Sequence, residues 1–407
     1  MSIAQKVCDL RWTIEQFHRE ANRRKPLAQN QSVIIKIEAG SVNRHNDLVR
    51  LRFKPKRYFP DWQEGTSALA MSITDADGHA PGKDVPCQFE PTLRELAWQT
   101  GELPAGTSAH YAIRHINRPP PKARYQIEQK PAHLLISADD AVFARYNFLG
   151  VWKPYFWPLN GNHGTVVRGA GGEDHPHHTG LYLAYGGHGE GGSANIWSDW
   201  DEPPYGPCGK MLHQRFVRIT EGDVYAEFVE DLIHVKGDGE VIMTETRTAR
   251  VWYADDTRRF LEITHETTPP LDIGDRQFLC VARLNPSMGI PEKGHVENSE
   301  GQIGRTAVHH QRARWCDLGG TVGNGVSGIA LFDHPENAEH PGFFGEIAVP
   351  EQMSILHHPP DELEDDRFRL RFGVYVHEGV TPAADVERHY QCYINPVQAE
   401  VLRNLEL

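Results

Sequence analysis

Strict alternation of apolar and polar residues over 367–377 constrains the fold of this chain more than any other feature of its sequence. Side chains two positions apart lie on the same face of a strand, so the alternation predicts a strand with one buried and one polar face. The apolar face consists of Phe368, Leu370, Phe372, Val374 and Val376, and the other face consists of Arg367, Arg369, Arg371, Tyr375 and His377. The 407 residues also include 37 glycines and 28 prolines, which suit many turns and short strands better than a helical bundle. We therefore predict an all-β fold.

A period of two recurs elsewhere in the chain. It predicts strands at 32–37, 48–53 and 68–74, and Asp77-Gly78 after the third strand predicts a hairpin turn. Residues 241–253 carry polar side chains on both faces, which predicts a strand with one face along a wet groove.

Two further features divide the chain. One apolar stripe at helical spacing predicts an amphipathic helix over 2–24, which packs against its own domain or forms a dimer contact. That stripe consists of Ile3, Val7, Leu10, Ile14, Phe17 and Ala21. The proline run of 118–122 predicts a stiff linker. We predict the helix within 1–29, a small β-sandwich with the linker over 30–122, and a large β domain over 123–407.

The charge balance limits the partners. Acidic residues outnumber basic ones by 55 to 42, so the net charge of −13 argues against nucleic acid as a partner. No basic block favours an anionic membrane surface, and no apolar run is long enough to span a bilayer. The six cysteines are scattered, and the N-terminus lacks the pattern of a signal peptide. We expect a cytoplasmic protein with reduced thiols, a small-molecule partner, and a homo-oligomer if the N-terminal helix is a dimer contact.

The most distinctive chemical feature is the segment Asp174-His175-Pro176-His177-His178. Histidines at i and i+2 on an extended chain point the same way, so His175 and His177 are candidate ligands of one divalent metal ion or one substrate. His178 is a candidate base. Solvated loop histidines are the structural alternative, and the spacing matches no single metal template. Neither nucleotide-binding glycine motif is present, so we expect no nucleotide cofactor.

Aromatic and polar residues flank this segment. Flat rings beside hydrogen-bonding groups suit the faces and edges of a sugar, although core packing is the alternative for any single ring. The candidate substrate-binding residues are Trp152, Trp157, Asn195, Trp197 and Asp199. The candidate catalytic residues besides His178 are Lys153 as an electrostatic helper and Tyr155 as a proton donor, with Glu262, Asp333 and His334 in reserve.

Several segments together resemble the PmoA-like family, a domain family of unknown function (DUF6807). They are 153–159, 174–181, 296–301, Arg314-Trp315-Cys316-Asp317, Phe332-Asp333-His334-Pro335 and 376–379, and the resemblance covers roughly 30–390. It implies a large β-sandwich similar to the mutarotase-like folds of sugar enzymes.

Genes of that family are commonly found near genes for sugar dehydrogenases and sugar-isomerase-like proteins. The resemblance therefore implies an oxidised sugar as the substrate. The resulting hypothesis is an enzyme that cleaves a 3-keto-glycoside. It would remove the C2 proton and expel the C1 substituent by elimination or net hydrolysis, with metal assistance as an option. The alternatives are a mutarotase-like isomerase or epimerase and a non-catalytic carbohydrate-binding protein.

Overall fold

The computed structural model describes most of the chain beyond its N-terminal segment. The described residues are 32–78, 82–169, 175, 177–186, 194–202, 206–268, 277–288, 295–345, 352–358, 367–380 and 382–402. Antiparallel strands dominate this part of the chain, which confirms the all-β prediction. The predicted N-terminal helix lies outside the described residues. No helix within the described ranges is long and apolar enough to cross a membrane.

The first strands form a small unit with its own core. These strands are β1 (Val33–Glu38), β2 (Arg44–His45), β3 (Leu48–Arg52), β4 (Ala68–Thr74), β5 (Asp84–Val85), β6 (Cys87–Glu90), β7 (Glu95–Gln99), β8 (Glu102–Leu103) and β9 (Ser108–Ile116), with a 3-10 turn at Pro55–Arg57. Strands β1, β3 and β4 match the three predicted strands. Apolar side chains from β1, β7 and β9, such as Ile35, Trp98 and Tyr111, pack into one cluster.

The remaining strands build the large unit. They are β10 (Tyr125–Gln129), β11 (His133–Ala138), β12 (Ala141–Asn147), β13 (Tyr155–Gly161), β14 (Gly164–Thr165), β15 (Leu181–Gly186), β16 (Lys210–Thr220), β17 (Ala226–Val235), β18 (Val241–Asp255), β19 (Arg258–Thr267), β20 (Gln277–Arg283), β21 (His295–Asn298), β22 (Gln311–Arg312), β23 (Trp315–Val322), β24 (Gly325–Asp333), β25 (Phe343–Gly345), β26 (Gln352–His357) and β27 (Phe368–Glu378). The last described strand, β28 (Gln398–Val401), follows them in the chain. Helices α1 (Arg305–Val308) and α2 (Ala383–Ile394) and a 3-10 turn at Pro286–Met288 lie between them.

Two large antiparallel sheets form a sandwich. The ten-stranded sheet has the order β10-β11-β12-β13-β15-β20-β26-β25-β22, with β14 beside β13, and the eight-stranded sheet has the order β16-β17-β18-β19-β27-β24-β23-β21. Apolar side chains from both sheets form one cluster, for example Phe156 and Cys280 from the first and Phe228 and Val374 from the second. The predicted large β-sandwich is therefore present.

The C-terminal segment departs from the predicted organisation in two ways. Strand β28 pairs with β1, so the last described strand joins the small unit, although the predicted division places it in the large domain. Helix α2, which the sequence reasoning missed, covers part of the outer face of the eight-stranded sheet. Tyr375 of β27 is therefore buried rather than solvated, and His377 is buried as a partner of Asp317.

Strand β18 carries charge on both faces, as its sequence indicated. Its outer face presents Thr248 and Arg250 to a polar cavity, in agreement with the predicted wet groove. Its inner face places Glu245 and Arg247 inside the sandwich, each about 2% exposed. Buried charges require partners, and these two pair with each other at 2.7 Å.

Candidate functional site

The histidine cluster lies on the outer face of the ten-stranded sheet, beside the start of β15. The His178 N–H donates to the carbonyl of His175 at 3.1 Å, and the Gly180 N–H donates to the carbonyl of Arg168 at 2.8 Å. Gly180 has φ of 64°, and a Cβ there would meet the carbonyl oxygen of Phe156 at 2.1 Å. Only glycine fits this turn, which fixes the cluster against β13.

The three histidine rings are in mutual contact. The His178 ring centroid lies 4.8 Å from that of His175 and 4.2 Å from that of His177, and the outer two lie 5.9 Å apart. Trp197 closes the group, with its ring 5.0 Å from His178. His178 is nearly fully buried, whereas His175 and His177 are half-buried and remain accessible.

The environment of His178 keeps its imidazole neutral. Burial, followed by the nearby His177, Arg283, His175 and Lys153, lowers the pKa of His178 to about 2. Neither ring nitrogen has a hydrogen-bond partner among the described residues. A general base works best with a pKa near the working pH, so the predicted role of His178 as the base does not fit this environment. A neutral imidazole suits hydrogen bonding or metal ligation instead.

A buried ion pair lies next to the histidines. The Lys153 ammonium donates to an Asp199 carboxylate oxygen at 2.6 Å and to the Trp197 carbonyl at 3.0 Å, and it lies 5.2 Å from the Tyr182 ring centroid. Lys153 is 2% exposed, while the Asp199 side chain is 20% exposed. Burial raises the pKa of Asp199, although Lys153 opposes that rise. The pair therefore combines a fixed cation with an accessible carboxylate.

Three candidate aromatic residues lie in β13 or just before it, and Tyr155 is the one that packs on the outer face beside Trp197. Tyr155 of β13 lies opposite Tyr182 of β15 and is half-buried, and burial raises the pKa of its phenol. Trp157, two residues on and also half-buried, carries the Arg145 guanidinium 4.8 Å from its ring centroid. Trp152 is similarly covered by the Lys210 ammonium at 4.1 Å. Each tryptophan ring thus lies beside a cation, and Trp157 also packs against the core of the sandwich.

Asn195 has a structural role at this site. It is fully buried, and its side-chain oxygen accepts the Trp197 N–H at 2.8 Å. That bond holds the turn that carries Trp197 over the histidines. Asn195 therefore positions Trp197.

The three histidine side chains are of a type that binds metal ions, but their arrangement does not form a closed metal site. Imidazoles are common ligands of zinc and other transition metals, and His178 has two buried nitrogens without hydrogen-bond partners. Within the described ranges, no group of three or more His, Cys, Asp or Glu side chains is arranged to hold a metal ion. His175 and His177 remain predicted ligands, and Asp174 lies outside the described residues.

Three candidate catalytic residues make their contacts elsewhere. Glu262 projects from the outer face of the eight-stranded sheet and pairs with Arg371 at 2.7 Å. Asp333 is fully buried, and its carboxylate accepts four hydrogen bonds, at 2.6–2.8 Å, from Asn337, His340, Gly342 and His357. His334, beside it, accepts the Glu336 N–H. The Asp333 partner His357 is also completely buried.

The sequence reasoning missed three residues on the site's face. Tyr182 and Arg283 lie on β15 and β20, and Gln352 of β26 is directly opposite Arg283. Arg283 and Gln352 are both buried, and neither polar atom of the Gln352 amide has a partner in the described structure. A lone arginine after the apolar run of 278–282 was the signal that could have identified Arg283.

Comparison with known proteins adds one family match. The model of a family of unknown function, DUF6807, matches residues 133–391. No curated protein sequence matches this chain.

Solved structures give a distant likeness. An alpha-mannosidase from Enterococcus faecalis V583 is similar at 8% identity with a TM-score of 0.48, covering 96% of this chain and 48% of its own. A protein of glycosyl hydrolase family 38 from Enterococcus faecalis is similar at 8% identity with a TM-score of 0.45, covering 96% of this chain and 50% of its own. This chain therefore spans about half the length of each of these two proteins.

Proposed function

This chain belongs to the DUF6807 family, and on that premise we propose that it is a carbohydrate-active enzyme whose reaction takes place at the histidine cluster. One observation carries the proposal. A single sheet face brings together accessible histidines, the Lys153–Asp199 pair and the rings of Tyr155 and Trp197. Cation, carboxylate and phenol are groups that acid–base chemistry on a sugar needs, and the half-buried Tyr155 ring adds flat apolar surface.

The substrate we propose is an oxidised, 3-keto-glycoside. A ketone at C3 acidifies the C2 proton, so a base can remove it to give an enolate. The C1–O bond then breaks as the C1=C2 double bond forms, and the leaving oxygen takes up a proton. Addition of water across that double bond makes the net reaction a hydrolysis. Each step requires a base, a positive group near the enolate oxygen, and an acid.

The environment of each residue supports a specific role. Asp199 is the proposed base, because burial raises its pKa and its side chain is partly exposed. Lys153 supplies fixed positive charge beside it. Tyr155 is the proposed acid, because its raised pKa keeps the phenol protonated. A divalent ion held by His175 and His177 would polarise the C3 ketone, and neutral His178 would support that pair.

A chromogenic 3-keto-glycoside with a nitrophenol leaving group tests the proposal. We expect the purified chain to release nitrophenol, and we expect Asp199→Asn and His177→Ala to reduce that rate by about a hundredfold or more. His133→Ala, a substitution on β11 in the same sheet, is the matched control and should leave the rate unchanged. Circular dichroism checks that each variant is folded.

The outcomes separate the alternatives. Unchanged turnover in Asp199→Asn and His177→Ala would contradict the proposed site. Sugar binding without nitrophenol release would indicate a carbohydrate-binding protein. Interconversion of free sugars without release would indicate an isomerase or epimerase. Loss of turnover with a chelator, restored by added metal, would support the metal-assisted form.

A further inference from the structure

A cavity that is separate from the histidine cluster lies between the small unit and the outer face of the eight-stranded sheet. It has a volume of about 550 Å³. Six arginines line it: Arg50 and Arg52 from β3, and Arg218, Arg250, Arg369 and Arg371 from the large sheet. Such a concentration of guanidinium groups is unexpected in a chain whose net charge is −13. It makes this cavity a local positive region.

Carboxylates neutralise most of these arginines, but not all of them. Glu227 and Glu262 both pair with Arg250, and Glu262 also pairs with Arg371 at 2.7 Å. Arg369 pairs with Glu266 at 3.1 Å, and Glu336, outside the cavity, lies within 3.5 Å of Arg369 and Arg371. Glu227 also pairs with Arg218. The arginines of the sheet are therefore held in place by their ion pairs.

The arginines of the small unit differ. Arg50 reaches Glu95 only at 3.5 Å and is 40% exposed. Arg52 is exposed, and no carboxylate in the described ranges lies within ion-pair distance of it. Ion pairs explain why the four arginines of the sheet are present in the cavity. They do not explain why Arg52 is there. A loosely held guanidinium at the mouth of a cavity is available to an incoming anion, and its planar fork matches a carboxylate.

An aromatic wall adjoins the same arginines. A smaller cavity of about 200 Å³ shares Arg50, Arg250 and Arg371 with the first and adds aromatic rings. Trp252 and Phe260 lie 4.6 Å apart between centroids, and the Arg371 guanidinium lies 5.9 Å from the Tyr393 centroid. The continuous cleft therefore has a flat apolar end and an arginine-rich end. A ligand that matches both ends carries a carboxylate next to a flat face.

We propose that this cleft is a binding site for a small carboxylate borne on a ring with an apolar face, either a uronic acid sugar or an aromatic acid. Arg52 and Arg50 contact the carboxylate, and the wall of Trp252 and Phe260 contacts the ring. The site is separate from the histidine cluster and does not depend on the reaction proposed there. A uronic acid sugar and an aromatic acid would bind through the same groups, so the experiment uses one probe of each kind.

Isothermal titration of the full chain tests the proposal with methyl glucuronoside, 4-hydroxybenzoate and neutral methyl glucoside. We expect saturable binding of at least one of the two acids and none of the neutral glucoside, and the acid that binds more tightly identifies the source. The double variant Arg50→Ala with Arg52→Ala should weaken binding by about tenfold to a hundredfold, the loss expected for charge-assisted hydrogen bonds. Arg371→Lys keeps the positive charge but loses the planar guanidinium, so it should weaken binding less than the double variant does.

Two controls make the outcome decisive. Arg215→Ala removes a 72% exposed arginine of the same sheet that lies outside the cavity, and it should not change affinity. Asp199→Asn should also bind normally, which separates this site from the proposed reaction. Absence of acid binding to the wild-type chain would overturn the proposal. So would equal affinity in the double variant, or equal binding of the neutral glucoside.

Discussion

Replacing Glu245 by glutamine should destabilise the large sandwich more than any surface substitution. The Glu245 carboxylate is completely buried between the sheets. It accepts hydrogen bonds from Arg247 Nε at 2.7 Å, Arg247 NH2 at 3.1 Å and His234 Nε2 at 2.7 Å, and His265 Nδ1 lies 2.8 Å away. Burial opposes the charge, but Arg247 and His265 hold the pKa of Glu245 well below its ordinary value. The substitution leaves the Arg247 guanidinium buried beside the Tyr146 hydroxyl at 3.0 Å, without its carboxylate.

The expected loss follows from that geometry. Removing one partner of a buried ion pair costs about 3–5 kcal/mol, because the remaining charge stays desolvated. The melting temperature of a unit this large changes by about 2 °C per kcal/mol, so we expect a decrease of about 6–10 °C in differential scanning calorimetry. Glu266→Gln, which breaks a pair between half-exposed side chains, is the control and should cost less than about 1 kcal/mol.

Acidic pH should reduce the difference in melting temperature between Glu245→Gln and the wild type. The folded pKa of Glu245 is depressed, so its contribution is complete above the ordinary value of 4.5 and is lost as the pH falls towards the folded pKa. The double variant Glu245→Leu with Arg247→Met should recover much of the loss, because it leaves no buried charge of this pair. A melting temperature for Glu245→Gln within 2 °C of the wild type at neutral pH would refute the reasoning.

Three further predictions concern the elements around the site. His178→Asn should reduce the fall in stability between pH 6.5 and 4, measured by chemical denaturation, because the depressed pKa of about 2 makes protonation favour the unfolded chain below 6.5. Asp333→Asn should cost about 3 kcal/mol by removing the charge that four donors share, yet the turnover of the folded fraction should not change, since Asp333 lies outside the site. Gly180→Ala should lower the yield of folded protein in gel filtration, because its Cβ would lie 2.1 Å from the Phe156 carbonyl, whereas Gly239→Ala, with open space and positive φ, should cost only about 1 kcal/mol.

Much of the fold was predictable because strand periodicity is a local property of the sequence. The alternation at 368–376 and the runs that became β1, β3 and β4 all lie where the pattern placed them. The pairing of β28 with β1 joins strands at opposite ends of the chain, and no local pattern reveals it. Helix α2 was visible in principle, since Val386 and Tyr390 are spaced four apart, but the polar residues between them concealed it.

The candidate site was predictable in part for a related reason. Lys153, Tyr155, Trp197 and Asp199 were selected from sequence neighbours of the histidines, and the sheet brings them to one face. Glu262 and Asp333 were selected by residue type and strand position, and neither property specifies which of two sheets, or which face, a side chain occupies. Burial of polar groups is not visible in a local pattern either, since His357 is buried by a partner, Asp333, that lies 24 positions away in the sequence.

The period of two also explains how one strand supports both stability and the proposed chemistry. In β13, Phe156 points inward and packs 4.7 Å from the Tyr146 ring, whose hydroxyl joins the buried network of Glu245 and Arg247. Its neighbour Tyr155 lies on the outer face, where it packs against the cluster that contains Tyr182 and Trp197 of the proposed sugar site. A buried hydrogen-bonded network on one side of the strand fixes the backbone from which the Tyr155 ring projects on the other. Changes to the buried network should therefore reach the proposed site through the position of β13, even though Tyr146, Glu245 and Arg247 lie between the sheets and not on the outer face.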